Sequence, residues 1–165
     1  NQFVLSVNPS LPVKTFQEFI DYTRRANPPI AYASGGNGSQ HQMSMEMLKQ
    51  RAGINLTHVP YKGGSPATTA TVAGETLAMF AGTSSAGQIR SGKLRALAVT
   101  GPHRSALFPD LPTIGEFYPG YEVTIWLGLF APATPPDAVM TRLRADTRAG
   151  LGLAEVKDRS EEHTS

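Results

Sequence analysis

The stretch Ile30-Ala31-Tyr32-Ala33-Ser34-Gly35-Gly36-Asn37-Gly38-Ser39-Gln40-His41 decides how this chain is read. Ile30 to Ser34 is short, apolar and β-prone, and the residues after it are glycine-rich turn formers. Beyond Ser39, Met43, Met47 and Leu48 recur at i, i+4 and i+5, which predicts a helix that places these residues in the core and ends at Gly53. A strand that feeds a helix through a tight turn is the repeating unit of a parallel α/β sheet.

The unit recurs on both sides. Downstream, Ile54 to Pro60 reads as a strand, Tyr61-Lys62-Gly63-Gly64 as a loop, and Ser65-Pro66 as the cap and first position of a helix closed by Gly74. Leu77 to Ala81 is the next strand, Gly82-Thr83 its loop, Ser84 the cap of a short helix ending near Gly92, and Leu94 to Thr100 the fifth strand. Upstream, Phe3 to Val7 is a strand, and Thr15 with Glu18 makes a capping box ahead of a helix that buries Phe16, Phe19, Ile20 and Tyr22. Pro102, Pro109, Pro112 and Pro119 predict an irregular connector up to Gly120. Tyr121 to Pro132 then reads as one long apolar strand, and Pro135-Pro136-Asp137 opens a last helix with Val139, Met140 and Leu143 on one face.

Composition narrows function by exclusion. The 165 residues, 40% hydrophobic and 17% charged, are those of a globular protein. A net charge of +2 with scattered basic residues offers no stripe for nucleic acid. The absence of cysteine removes disulfides, thiolate zinc sites and cysteine nucleophiles, and no apolar run approaches the roughly 20 residues of a membrane span. Histidines lack metal-site spacing, Gly35 to Ser39 is neither a Walker loop nor a dinucleotide fingerprint, and Ser39 is not in a nucleophile elbow. Neither a metal nor a cofactor is expected. Asn1 to Val7 reads as a strand already under way, so the natural N-terminus is expected to precede it; Arg159 to Ser165 matches the translation of a common sequencing adapter and is expected to be a non-native tail, the plainer alternative being a natural polar one.

Three strand-to-helix loops are short, glycine-rich and hydroxyl-bearing: Ser34 to Ser39, Pro60 to Ser65, and Ala81 to Ser84. In a parallel sheet they share one edge, the place where such folds bind ligands, and each opens a helix whose free N–H groups favour an anion. Gly36 and Gly38 let the backbone approach a ligand, while Ser34, Asn37 and Ser39 supply hydrogen bonds. The plainer reading is that each loop is a tight turn with a helix cap. His41 is placed to donate to a carboxylate, to act as a general base, or to serve structure alone, while His58 reads as a packed, satisfied histidine. Lys62 is either an anion contact or a solvated charge, Tyr61 a wall, Trp126 a cleft floor or plain core, and Glu75 a solvated carboxylate.

Taken together, Val7-Asn8-Pro9-Ser10-Leu11-Pro12-Val13-Lys14, Tyr32 to His41, His58-Val59-Pro60-Tyr61-Lys62-Gly63, Gly92 to Thr100, Pro109-Asp110-Leu111-Pro112-Thr113 and Trp126 to Pro132 resemble the substrate-binding receptors of tripartite tricarboxylate transporters, the Bug family. The resemblance implies an α/β fold with a parallel-rich sheet flanked by helices, as one lobe of a type II periplasmic-binding-protein-like, two-lobed receptor. It implies a periplasmic, monomeric, non-enzymatic protein that captures a small organic carboxylate and delivers it to membrane permease subunits. The lobe would span residues 8–120, with residues 1–7 and 121–132 as hinge strands and 133–158 returning to the other lobe. Carried over by position, Ser34, Gly38 and Ser39, the Tyr61–Gly64 loop with Lys62 and Gly63, and Ala81, Gly82, Thr83 and Ser84 face the ligand. Many members carry an acidic residue where Ala81 stands, so a plain carboxylate suits this chain better than an amino acid. The last helix would then present an apolar patch around Val139 and Leu143. Two rivals stay open: the effector-sensing lobe of a transcriptional regulator, and a hydrolase using His41 with a nearby serine.

Overall fold

Two strands, Val4–Val7 (β1) and Ala78–Ala81 (β4), are buried at every residue, as strands covered on both faces must be. Around them the described residues, 2–126 and 128–156 of this computed structural model, place Ala31–Ser34 (β2), Thr57–Pro60 (β3) and Arg95–Val99 (β5) in one sheet of order β3-β2-β4-β1-β5. β2 pairs in parallel with β3 and β4, whereas β1 runs antiparallel to both β4 and β5. The sheet is thus mixed: four strands point one way and β1 alone is reversed.

Alternation sorts the side chains into two layers. Leu5, Val7, Tyr32, Ala78 and Phe80 lie in a core with Phe16–Arg25 (α1) and Gln40–Ala52 (α2), to which Phe19, Ile20, Met45 and Leu48 contribute. Ala33, Met79 and Ala81 lie in the other, with Ala67 of Gly64–Ala73 (α3), and Ile89 of Ala86–Arg90 (α4) packs against it. β3 is the half-exposed edge, ended by a proline that has no N–H to offer another strand.

Local chemistry explains most boundaries. Thr15 caps α1 by accepting from the Glu18 N–H at 3.2 Å, but Glu18 reaches back to the Lys14 N–H at 2.6 Å instead of closing the expected box on Thr15. The complete capping box belongs to Thr113 and Glu116, which start a short 3-10 turn (Ile114–Glu116) inside the proline-rich connector. Gly53 and Gly74 close α2 and α3 in the left-handed region, as expected. α3 begins earlier than expected: Gly63, at φ 116°, occupies the cap position, so Ser65 lies within the first turn. The fourth loop enters a 3-10 turn (Thr83–Ser85) before α4, so Ser84 is inside that turn and not a cap.

Two further expectations differ from the structure. Met43 is 65% exposed and not core, because the buried stripe of α2 is Ser44, Met45, Leu48 and Ala52. Ser44 enters that stripe because its hydroxyl is satisfied by the Gln40 carbonyl at 2.6 Å. Met47 does pack against the core, from a partly buried position. Tyr121 to Pro132 is not a continuous strand; among its described residues only Thr124 makes a bridge, to Gln2. Phe3, Thr100 and Val123 are nevertheless tied together. The Thr100 hydroxyl accepts from the Phe3 N–H at 2.9 Å and donates to the Val123 carbonyl at 2.7 Å.

The chain divides into two compact units, residues 1–125 and the segment from Trp126 onward. The second contains Asp137–Leu151 (α5), none of whose residues is buried. Val139, Leu143, Leu129 and Phe130 are all exposed. The tail expected at 159–165 lies outside the described residues.

The phase of α2 is testable with two methionines. Met45→Ala should lower unfolding free energy by about 2–5 kcal/mol, and Met43→Ala should stay within about 0.5 kcal/mol of the parent, both read from urea denaturation midpoints.

Candidate functional site

Parallel pairing sets Ser34 opposite Pro60 and Ala33 opposite Met79, so the loops after β2, β3 and β4 emerge at one sheet edge. The first two are joined by backbone: the Tyr61 N–H donates to the Ser34 carbonyl at 3.0 Å and the Gly63 N–H to the Gly35 carbonyl at 3.2 Å. Gly36 sits at φ +124° with the Tyr61 carbonyl close by, a conformation that L side chains rarely adopt. A Cβ on Gly35 would lie 3.2 Å from His41 Nδ1 and 3.3 Å from the Gly63 carbonyl carbon. Both loops need glycine here because each is the other's wall.

His41 fills the seam between them. Its ring lies 4.8 Å, centroid to centroid, from that of Phe3 and faces Gly64. Burial among these groups pushes its pKa below the usual imidazole value. A neutral, wedged ring fits the structural reading of this residue.

The structure separates the expected ligand contacts. Ser34 is fully buried, and its hydroxyl is committed to the loop itself: it meets His58 Nε2 at 2.6 Å, accepts from the Gly36 N–H and donates to the Gly36 carbonyl, each at 3.1 Å. Ser39 caps α2 through the Gln42 N–H at 3.3 Å. Tyr61 is partly buried: its hydroxyl donates to Glu75 at 3.3 Å, just past the end of α3, and its ring packs on the layer containing Ala67. Asn37, Gly38, Lys62 and Ser84 are exposed, Gly36, Gly63 and Gly82 are partly exposed, and Ala81 is buried. Thr83 belongs to the 3-10 turn. Trp126 begins the second unit, 61% exposed, with Phe130 edge-on at 6.4 Å, so it is not core.

Two residues that carried no ligand expectation organise the first loop. The His58 ring stacks on Tyr32 at 5.0 Å, and its Nδ1 meets Gln42 Nε2 at 3.2 Å. Gln42 Oε1 in turn accepts from the Gly38 N–H at 2.6 Å. Only the one-turn spacing of Ser39 and Gln42 hinted at this in the sequence. The helices behind the loops differ as well: α2 and α3 are long enough to present dipoles, whereas α4 is a five-residue piece whose preceding turn is closed internally by Ser85 N–H to Gly82 O at 3.0 Å. Among the described residues no group of acidic or imidazole side chains is arranged to hold a metal ion.

Comparison with known proteins settles the family. Residues 1–158 match the tripartite tricarboxylate transporter family receptor. The chain belongs to this receptor family. A Cupriavidus necator relative, the UPF0065 protein in the gbd 5' region, is 35% identical over 157 residues, covering 94% of this chain and 48% of the relative. A Rhodopseudomonas palustris structure described with adipate superposes with a TM-score of 0.88 at 32% identity, covering 99% of this chain and 55% of that one. MatC from the same organism, with bound malate, gives 0.90 at 29% identity, covering 99% and 56%. The chain thus spans about half the length of the relatives it matches, and it also superposes on the periplasmic binding protein BugD with a TM-score of 0.87 at 32% identity, covering 99% of this chain and 57% of that one.

The glycine seam predicts that Gly35→Ala costs about 1–3 kcal/mol, by forcing the loops apart. Gly87→Ala, where a Cβ meets nothing, should be neutral or stabilising by up to about 1 kcal/mol, and chemical denaturation compares the two. Acid should weaken the fold early. His41 and His58 both have depressed pKa values in the folded state, mainly through burial. Their contribution is fully present above the unfolded value near 6.5 and is lost as pH falls through the folded values, so urea midpoints should decline below about pH 6.5.

Proposed function

We propose that this chain supplies one lobe of a periplasmic receptor that captures a small organic carboxylate and hands it to membrane permease subunits of a tripartite transporter. The single observation that carries the reading is the convergence of the Gly35–Ser39 and Lys62–Gly64 loops, each at the head of a long helix, on one sheet edge. Helix N-termini and backbone amides favour an anion, and the exposed Lys62 adds a positive charge within the second loop. None of the three loops carries an acidic residue. Such an edge suits a plain carboxylate better than a ligand anchored by an ammonium group. Adipate and malate, bound by two structural neighbours, are of this class.

On this reading the first unit is the ligand-binding lobe, and the segment from Trp126 onward belongs with a second lobe. The unburied α5, with its exposed Val139 and Leu143, supports that assignment, as does the half-length match to the relatives. The proposed site comprises the backbone from Gly36 to Ser39 and from Lys62 to Gly64, the Asn37 and Lys62 side chains, and Gly82 to Ser84. His41 acts as a wedge, and no covalent chemistry is assigned to it.

A thermal-shift screen of a full-length receptor carrying this sequence tests the reading. A carboxylate present at about 100 times its dissociation constant should add roughly 2.7 kcal/mol of stability, while neutral sugars add none. Stabilisation by a cationic or neutral compound alone would remove the carboxylate assignment. Turnover of an ester lost in His41→Ala would favour a hydrolase instead.

A further inference from the structure

The first loop is secured by a chain of hydrogen bonds whose directions can be assigned. The Gly38 N–H can only donate, so Gln42 presents Oε1 to it at 2.6 Å and turns its NH2 group toward His58 Nδ1 at 3.2 Å. Nδ1 must then accept, which leaves the proton on Nε2, where it is donated to Ser34 Oγ at 2.6 Å. Ser34 passes the direction on to the Gly36 carbonyl at 3.1 Å. Gly36 and Gly38 are therefore both referenced to one imidazole on the neighbouring strand.

We propose that His58 is the positioning residue of this loop, ordering Gly35–Ser39 while neutral and releasing it on protonation. A second ring proton would place Nδ1–H against the Gln42 NH2 group, two donors face to face. Relief requires the amide to turn, and Oε1 then leaves the Gly38 N–H. Several groups surround the ring: Tyr32 and Ser34 from β2, and Gln42, Glu46 and Lys49 from α2. Glu46 favours the protonated ring and Lys49 opposes it, but Glu46 is already engaged by the Tyr32 hydroxyl and by Lys49, at 2.7 and 2.8 Å. Burial is the largest influence and lowers the His58 pKa, with Lys49 in support, so the neutral ring prevails at neutral pH. That loop order matters for capture rests on the carboxylate reading above, because Gly38 and Asn37 belong to the proposed anion edge.

The test is an NMR titration of the full chain, following the His58 ring and the Gly36 and Gly38 amides between pH 4.5 and 8. The Gly38 amide shift is expected to move with the His58 midpoint, with a loss of exchange protection of roughly fivefold or more below it, as for one lost hydrogen bond. Gln42→Glu distinguishes positioning from mere packing. A carboxylate at this position accepts from the Gly38 N–H and from a protonated Nδ1 together, so Gly38 should stay protected in acid and the His58 midpoint should rise. A Gly38 amide that ignores the His58 midpoint, or a Gln42→Glu chain with the parent's acid profile, would overturn the proposal. With adipate and malate as probes on the full-length receptor, an affinity that declines at the same midpoint supports the positioning role, and a flat affinity counts against it. If neither these nor any other carboxylate binds while Gly38 still follows His58, the loop switch stands and the carboxylate reading fails.

Discussion

The register of β2 against β3 and β4 is the constraint on which the rest of this structure depends. It places Tyr32 opposite His58 and Ser34 opposite Pro60, so three loops end at one edge and the polar residues behind them share the α2 face. A slip of one residue would send Tyr32 and Ser34 to the α3 face and leave His58 without its stacking partner and its hydroxyl. The same pairing that closes the core also sets His58 beside the first loop, where Gln42 of α2 completes the support.

One result is that the side chains which look most suited to a ligand are engaged by the protein. Ser34, Gln42 and His58 satisfy one another, Ser39 caps its helix, and Tyr61 is turned toward Glu75. What faces outward at the edge is largely backbone, with Asn37, Lys62 and Ser84. The crowding of Gly35 against Gly63 and Gly64 fixes the shape of that backbone.

The sequence made the alternating elements and the shared loop edge legible, because glycine, proline and apolar runs act over a few residues. Features requiring distant partners were not legible. The serine in β2 carries no local sign of a histidine 24 residues away, and the direction of β1 depends on pairing with β4 and β5 and not on its own composition. The exposure of Met43 is not legible from apolar spacing, because Ser44 takes the buried position by turning its hydroxyl against its own helix. The run after Tyr121 has the composition of a strand, yet only Thr124 among its described residues finds a bridge partner. Ser65 looked like a cap, but the left-handed freedom of Gly63 let α3 start earlier.

β1 precedes all its partners along the chain, yet it occupies the interior of the sheet, with Val4 opposite both Ala81 and Val99. During synthesis its backbone groups therefore stay without sheet neighbours until β4 emerges, and its second side stays open until β5 follows. Non-local pairing of this kind slows folding and leaves apolar strand exposed in the meantime. The earliest of the five strands is thus completed by the last, and the nascent chain must keep Val4–Val7 from other edges until Val99 has left the ribosome.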